Sequence, residues 1–468
     1  MPPTVQDTAM PAEPFLMSAS PHDRAEDNGA DWPSRGAAYF ALAMIVAATA
    51  LNFLNASVFS VVTERIKIDL ELTDEQLGWL IGPGTILIYV LVGIPLARLV
   101  DLYSRKHVLA YGLLFSSVTS ALGGLAQSFS ALFATRMLVG VGTSAHAPGS
   151  YSLIADLFPP RLVPRAIAFF QIGFVAGTTL GLAAGGYLLA VALDWGPISF
   201  FGLEIRAWQW AMIIAAAPGL PIAIGLLAIR EPARKGEVES HAAPTLIEVV
   251  KEMWHRRRVY FPLLLGVVFC ALESLSLHNW RSPFMIRTYG WSEAEIGAFL
   301  APILFVTSIA GAFIGMRLTE WLSRKYADAH VRAMGILFAL AAPAAILSTI
   351  MPNGELALIM MALSAMFALA AGVPQNAAFQ LITPNEMRGQ VTAIYVFLFT
   401  VTGALGTLGI ALITKYVVGD ESRLWEALAI TATLLVPFAV LCIALGLRPY
   451  GEEVQRKRLL DGGIAVAA

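Results

Sequence analysis

A few ionisable side chains stand inside long apolar stretches of this chain, and they have the chemical means to act. Arg136 and His146 share one stretch, Glu273 and His278 another, and Arg281 lies nearer the end of the latter, where it could snorkel. A charge in such surroundings is expensive, so each group is read first as a binding or coupling group. A buried guanidinium needs an acceptor, and a desolvated carboxylate can exchange a proton near neutral pH. The histidines read equally as neutral, hydrogen-bonded rings. His278 follows Glu273 by five residues, about 500° around a helix, so the two do not stack on one face. These groups are too few and too scattered for a metal site, and no nucleophile–base pair accompanies them. No metal, cofactor or enzymatic activity is therefore expected. Pro374-Gln375-Asn376 places polar groups at a proline break, a usual way to line a cavity, and Gln171 is similar. The aromatics Tyr89, Tyr395 and Phe397 either line that cavity or simply pack.

The elements that must position these residues are long and apolar. Of 468 residues, 57% are hydrophobic and 14% charged, and the mean hydropathy is +0.68. A soluble protein carries about 25% charged residues, so the partner implied is a bilayer. A net charge of −2 argues against nucleic acid. Cys270 and Cys442 lie in apolar runs and read as small core residues. From residue 37 come runs of roughly 20 residues or more, enough to cross a hydrocarbon core. They fall at about 37–62, 76–97, 107–127, 131–155, 165–192, 208–229, 260–284, 294–317, 331–350, 355–380, 389–417 and 424–447. The fold class expected is an all-α membrane protein, twelve transmembrane helices in two pseudo-symmetric six-helix bundles.

Residues 1–36 are polar, Pro-rich and acidic, a composition that cannot bury enough apolar surface to fold, so a disordered cytoplasmic tail is expected. The bundles span 37–229 and 259–447, joined by a linker at 230–258 and followed by a tail at 448–468. No apolar segment with a cleavage site precedes residue 37, so no removable signal peptide is expected. Basic clusters (Arg105-Lys106-His107, Arg256-Arg257-Arg258, Arg324-Lys325, Arg456-Lys457-Arg458) fall in alternate loops, and the first loop opposite is acid-rich. Both termini are therefore expected in the cytoplasm, in the plasma membrane or the inner membrane of a Gram-negative cell. In the linker, Leu246, Val249, Val250, Met253 and Trp254 share a helical face, which reads as a helix in the membrane interface or a soluble regulatory one. Gly173, Gly177, Gly181 and Gly185 form a stripe that lets helix backbones approach closely.

One polar turn, Ala97-Arg98-Leu99-Val100-Asp101-Leu102-Tyr103-Ser104-Arg105-Lys106, appears again as Met316-Arg317-Leu318-Thr319-Glu320-Trp321-Leu322-Ser323-Arg324-Lys325. The offset of 219 residues also sets Gly78 on Gly297 and Pro83 on Pro302. A repeated hairpin with a charged turn marks a transporter built from repeated bundles. The turn resembles the loop between the second and third helices of the major facilitator superfamily, although Ala97, Leu102 and Ser104 depart from its pattern. Gly93-Ile94-Pro95-Leu96-Ala97-Arg98-Leu99 looks most like the spinster branch. Arg136, Gly140 and Gly142 match the superfamily's fourth-helix pattern. The resemblance implies that Asp101, with Arg105 and Lys106, gates by capping the eleventh helix near Gly389. Glu320, with Arg324, would do so at the fifth helix near Arg165. A carboxylate gains from unpaired N–H groups at such a site. It also implies that the fifth helix lines the contact between the halves.

The resemblance further places Asn55 and Thr143 where spinster-type proteins carry a first-helix Asp and a fourth-helix Glu. Both usual proton-carrying acids are thus neutral here. Either the substrate's own anionic group neutralises Arg136, or the titratable acid has moved to Glu273. By the 219 offset Glu273 falls on Leu54, beside Asn55. The reading is a monomeric secondary or facilitative transporter using alternating access. Arg136, Asn55, Thr143, His146, Glu273, Gln375 and Asn376 would bind an amphipathic, lysolipid- or sphingolipid-like substrate, with Glu273 carrying a proton if coupling exists. A small organic anion symporter is the alternative, and a non-transporting sensor or scaffold the reading of another class.

Overall fold

A computed structural model describes residues 32–196, 198–200, 203–234 and 245–466. The expected disordered tail therefore lies outside the described residues up to residue 31, as does the middle of the linker.

The described chain is helical apart from one short hairpin. The first set of helices is α1 (Arg35–Asp69), α2 (Asp74–Ile81), α3 (Pro83–Leu102), α4 (Arg105–Gly123), α5 (Phe129–Ser144), α6 (His146–Leu157), α7 (Val163–Trp195), α8 (Ala207–Ala216) and α9 (Gly219–Leu227). Strands β1 (Ile198–Phe200) and β2 (Leu203–Ile205) pair antiparallel between α7 and α8. After α10 (Leu246–His255) comes the second set: α11 (Arg257–Tyr289), α12 (Glu293–Ser323), α13 (Ala329–Ile350), α14 (Gly354–Ile382), α15 (Arg388–Ile413) and α16 (Leu424–Val466). Ten of the helical runs are long and apolar enough to cross a membrane. The α4 run and the α5–α6 run, broken at Ala145, are not among them.

Helix ends follow local chemistry. Thr73, Thr245 and Ser292 each cap a helix and receive a reciprocal bond from Gln76, Glu248 and Glu295. The linker helix α10 buries Val249 and Met253 in the core of the second set and leaves Leu246, Ile247, Val250 and Trp254 exposed. The face expected to act as a unit is thus split between protein and surroundings. The segment expected as a tail after 447 continues α16, and Tyr450 and Val454 join the same core.

The glycine stripe faces inward rather than toward the second set. A Cβ on Gly177 would stand 2.2 Å from the Ala50 carbonyl oxygen, and one on Gly181 would stand 2.6 Å from that of Leu54, both on α1. The contact of α7 with the second set falls one residue further round. Gly186 lies against Glu293 and Ala294, and Leu182 and Ala183 against Gly297 of α12. The resemblance named the right helix, and its own stripe serves α1.

The two copies of the polar turn have different surroundings. Arg105 is buried and donates to Ser152, to Asp156, to Glu231 at 3.3 Å and to the Pro232 carbonyl at 3.2 Å. Lys106 closes the end of α9 through the carbonyls of Leu227 (3.1 Å) and Ile229 (2.9 Å). Glu231, which the sequence reading missed, accepts from the Ser104 hydroxyl and from the Arg105 amide at 2.7 Å. Burial pushes its carboxyl up, but these donors outweigh that and hold it below the ordinary carboxylate range. The side chain of Asp101 lies outside the described residues. In the second copy Glu320 is exposed and sits 3.5 Å from Arg317 of its own helix, and Arg324 is exposed. In this structure Glu320 pairs within its own helix, and the expected cap of α7 beside Arg165 is not among the contacts made.

Two tests follow from this packing. Gly177→Val forces α7 off α1, an overpacking cost of about 1–3 kcal/mol, whereas Gly372→Ala meets nothing within 4 Å. The thermal midpoint should fall only for the first, and equal midpoints would refute the contact. Glu231 has a depressed folded value, so its contribution is complete above the ordinary carboxylate range and lost as pH falls through that value. The midpoint difference between wild type and Glu231→Gln should be present at neutral pH and vanish in strong acid.

Candidate functional site

Two of the regions expected to act are the helix carrying Arg136 and His146, which is broken, and the helix carrying Pro374, which is continuous. In the first, α5 ends at Ser144, and α6 restarts at His146 after a single non-helical residue. Arg136, two turns before the break, is 8% exposed and lies over the Phe59 ring, with its guanidinium carbon 4.0 Å from the centroid. Its Nε has no partner, and among the described residues no acidic side chain pairs with it. Asn55 precedes Phe59 by one turn on α1, and its Oδ1 is likewise buried without a partner. The guanidinium is thus stabilised by a ring face while its N–H donors lack an anion. On α1, one turn before Phe59, stands an acceptor without a donor. Thr143, expected as a third partner, turns its hydroxyl onto its own helix, to the Val139 carbonyl at 3.0 Å. His146 bonds through Nε2 to the Thr49 hydroxyl at 2.8 Å, which in turn donates to the Ile45 carbonyl. His146 is thus a buried, hydrogen-bonded ring.

The structure does not bring Glu273 to Arg136. Glu273 lines a small pocket with Ser276, Leu277, Ile410, Leu428, Thr431 and Ala432, all from α11, α15 and α16 of the second set. Arg281 is 5% exposed and does not snorkel. The break expected at Pro374 is not formed: α14 runs through it without interruption, with Gln375 buried and Asn376 exposed. Asn376 donates to the Gly372 carbonyl at 2.9 Å and accepts from Tyr395, which stacks on Phe379 with centroids 4.8 Å apart. Tyr395 is therefore a packed residue of the second core, while Phe397 is 47% exposed.

A site that the sequence reading missed joins the two sets of helices at the end opposite the polar turns. Arg287, at the end of α11, donates to both oxygens of Glu64 (2.9 and 2.8 Å) and both of Asp74 (2.8 and 2.9 Å). Lys67 joins Asp74 at 2.6 Å and also reaches Glu421, whose other oxygen accepts from the Asp74 amide at 2.8 Å. Lys415 reaches Glu75 at 2.6 Å. Asp74 is fully buried and Glu64 nearly so. Beneath this lattice one hydrophobic cluster draws on both sets, with Val61, Leu77 and Leu182 packed among Leu277, Trp280 and Ile410. At the end of the polar turns the clusters are separate, one belonging to α1, α4, α6, α7 and α9, the other to the second set. The only early signal was the acidic content of the 64–75 loop, whose partners lie more than 200 residues away.

Comparison with known proteins agrees with this architecture. The chain matches the family model of the Major Facilitator Superfamily over residues 45–407. An MFS-type efflux pump of Mycolicibacterium smegmatis is 24% identical over 93% of this chain and 99% of its own length. Protein spinster of Drosophila melanogaster is 22% identical over 64% of this chain and 49% of its own length. Among solved structures, a bacterial homologue of the human lysosomal transporter spinster, inward-facing and unoccupied, aligns with a TM-score of 0.75. It is 23% identical and is matched over 90% of this chain and 98% of its own. A D-xylose–proton symporter aligns with a TM-score of 0.60 at 17% identity, over 86% of this chain and 97% of its own. An all-helical fold with repeated polar turns, a family match across most of its length and spinster proteins among its relatives make this chain a member of the Major Facilitator Superfamily, most like the spinster branch.

Proposed function

We propose that this chain is an alternating-access transporter whose Arg136 docks the acidic group of an amphipathic substrate. Twelve spans in two six-helix bundles would rock about that dock, with both termini cytoplasmic and the protein in a plasma or inner membrane. The observation that carries the reading is the buried guanidinium on Phe59 with no acidic partner among the described residues. An unpaired buried charge is heavily penalised, and a substrate anion removes the penalty on binding. The unpaired Asn55 oxygen one turn away suits a hydroxyl or ammonium next to that anion. An acid with a neighbouring donor and an apolar tail is a lysolipid- or sphingolipid-like head group. A small organic anion fits the same guanidinium, and a relative named as a probable L-galactonate transporter of Escherichia coli is 22% identical over 60% of this chain. The ion lattice at the Arg287 end, with separate cores at the other, fits a conformation closed outward and open to the cytoplasm.

Two measurements test this. Purified protein should bind an acidic lysophospholipid, and Arg136→Ala should weaken that binding about 30-fold or more, the loss of a buried charge pair worth about 2 kcal/mol. Unchanged affinity refutes the dock, and stronger retention of galactonate than of lysophospholipid by wild type moves the substrate to the organic anions. Arg287→Ala strands Glu64 and Asp74 without their shared cation, a loss of about 3 kcal/mol from the closed end. Thiol labelling of a cysteine at Leu77, buried under the lattice, should therefore speed up in the Arg287→Ala protein. Equal labelling rates would show that the lattice does not hold that end shut.

A further inference from the structure

The linker helix α10 presents three faces, and the described residues cover only one of them. At about 100° per residue, Leu246, Ile247, Val250 and Trp254 fall within an arc of about 100°. Val249 and Met253 occupy the adjoining arc and are buried in the core of the second set. Glu248, Lys251, Glu252 and His255 fill the rest of the wheel. A surface helix in water turns its one apolar face to the core. Here the apolar part is split, and the outer stripe remains uncovered, from 51% exposed at Val250 to 68% at Ile247. A contiguous uncovered apolar patch marks a surface that meets something else.

The level of this stripe follows from its junction with α11. Arg256 alone separates the two helices, and the apolar run of α11 starts at Val259. Arg256 donates to Glu453 at 3.0 Å and to the Ile382 carbonyl at 3.3 Å, and it pairs with Glu252 at 2.7 Å. The junction is thereby fixed to the bundle, and α10 lies where α11 enters hydrocarbon, at the end opposite Arg287. Three cations stand at the same level without an acid. Arg257, Arg258 and Lys251 are exposed, and among the described residues no carboxylate pairs with any of them. Arg257 donates to the Trp254 carbonyl at 3.4 Å, and its guanidinium carbon lies 5.9 Å from the centroid of that ring. The two acids of α10 are engaged elsewhere, Glu252 with Arg256 and Glu248 with the Thr245 amide at 2.7 Å.

From these contacts we infer that α10 and the start of α11 form a binding site for an acidic phospholipid of the surrounding leaflet. Leu246, Ile247, Val250 and Trp254 rest among its acyl chains, and Arg257, Arg258 and Lys251 hold its phosphate. Each part suits a membrane boundary. An indole ring settles at the head-group level, a guanidinium takes a phosphate through two parallel hydrogen bonds, and basic side chains beside an acidic leaflet are drawn to it. A zwitterionic lipid brings its own cation beside its phosphate and leaves the cluster unneutralised. An acidic lipid supplies the charge that the cluster lacks. This lipid is a fixture of the bilayer and not a transported molecule, because Arg136 is buried in the first set of helices. The inference stands on membership of the family and not on the dock at Arg136. Since α10 passes directly into α11, a bound head group anchors α11 at its starting end.

The test uses the full chain in phosphatidylcholine nanodiscs, with a bimane fluorophore on Ile247→Cys in a Cys270→Ala, Cys442→Ala background. Lipids brominated in their acyl chains quench only a fluorophore that reaches hydrocarbon. Brominated phosphatidylcholine should quench the probe. Brominated phosphatidylglycerol at the same low mole fraction should quench it more strongly, with a preference of about tenfold, since each basic side chain near the surface contributes a few-fold. Raising the NaCl concentration should shrink that preference, as screening weakens exposed charge pairs. Changing Lys251→Gln, Arg257→Gln and Arg258→Gln together should remove the preference and leave quenching by phosphatidylcholine as it was. A probe that neither lipid quenches places the stripe in water, assigns it to a soluble protein partner and overturns the site. Equal quenching by the two lipids with the cations intact overturns the head-group contact, and so does a preference that survives their loss. A preference abolished by Arg136→Ala identifies the lipid as cargo in the dock and overturns the site. An unchanged preference in that variant supports a site apart from the dock, whatever the variant does to substrate binding.

Discussion

The arrangement depends on one guanidinium shared by two carboxylates. Arg287 of the second set holds Glu64 and Asp74 of the first in four hydrogen bonds of 2.8–2.9 Å, with Lys67 and Glu421 completing the lattice. Arg287, Glu64 and Asp74 are nearly buried and depend on one another because their charges have left water, whereas Glu421 at the edge is still 41% exposed. The buried part of the lattice therefore acts as a clasp on one end of the molecule. With that end clasped, the apolar seal of Val61, Leu77 and Leu182 against Leu277 and Ile410 follows beneath it.

The same rule, that charge in hydrocarbon must be matched, bears on the unmatched groups, among them Arg136, Arg281 and Glu273. Arg136 and Glu273 carry opposite charges in different halves, each with an orphaned atom, and they do not meet. A guanidinium cannot shed its proton, so Arg136 can be neutralised only by something that arrives. A carboxyl group can be neutralised in place. The proposed dock follows from that difference: Arg136 suits a substrate anion, whereas Glu273 can be neutralised without one.

The duplicated turn shows how tertiary surroundings separate two copies of one motif. In the first half, Asp156 and Glu231 stand close enough to bury Arg105. In the second half no acid pairs with Arg324 among the described residues, so it stays exposed, and other residues tie down the neighbouring helix ends. Arg256 reaches the Ile382 carbonyl and Glu453, Lys457 reaches the carbonyls of Leu381 and Thr383, and Tyr260 bonds Thr383 at 2.9 Å. The extension of α16 past residue 447 supplies two of these anchors.

The sequence by itself determined the helices, because the length of an apolar run and the caps at its ends are local properties. Many structured runs begin and end within a few residues of those expected, as at 260–284 against Arg257–Tyr289 and 355–380 against Gly354–Ile382, while α16 runs on to Val466 and the runs at 131–155 and 208–229 are each two helices. It also marked Arg136 and Glu273, since an ionisable residue in an apolar run is conspicuous without any partner in view. Only the tertiary structure decided what those residues face. The rotation of α7 turned its glycines onto α1, that of α11 turned Glu273 toward Thr431, and Arg287 found acids more than 200 residues away. Rotation and pairing of helices are fixed by the sum of many weak contacts between distant segments. No local spacing encodes that sum.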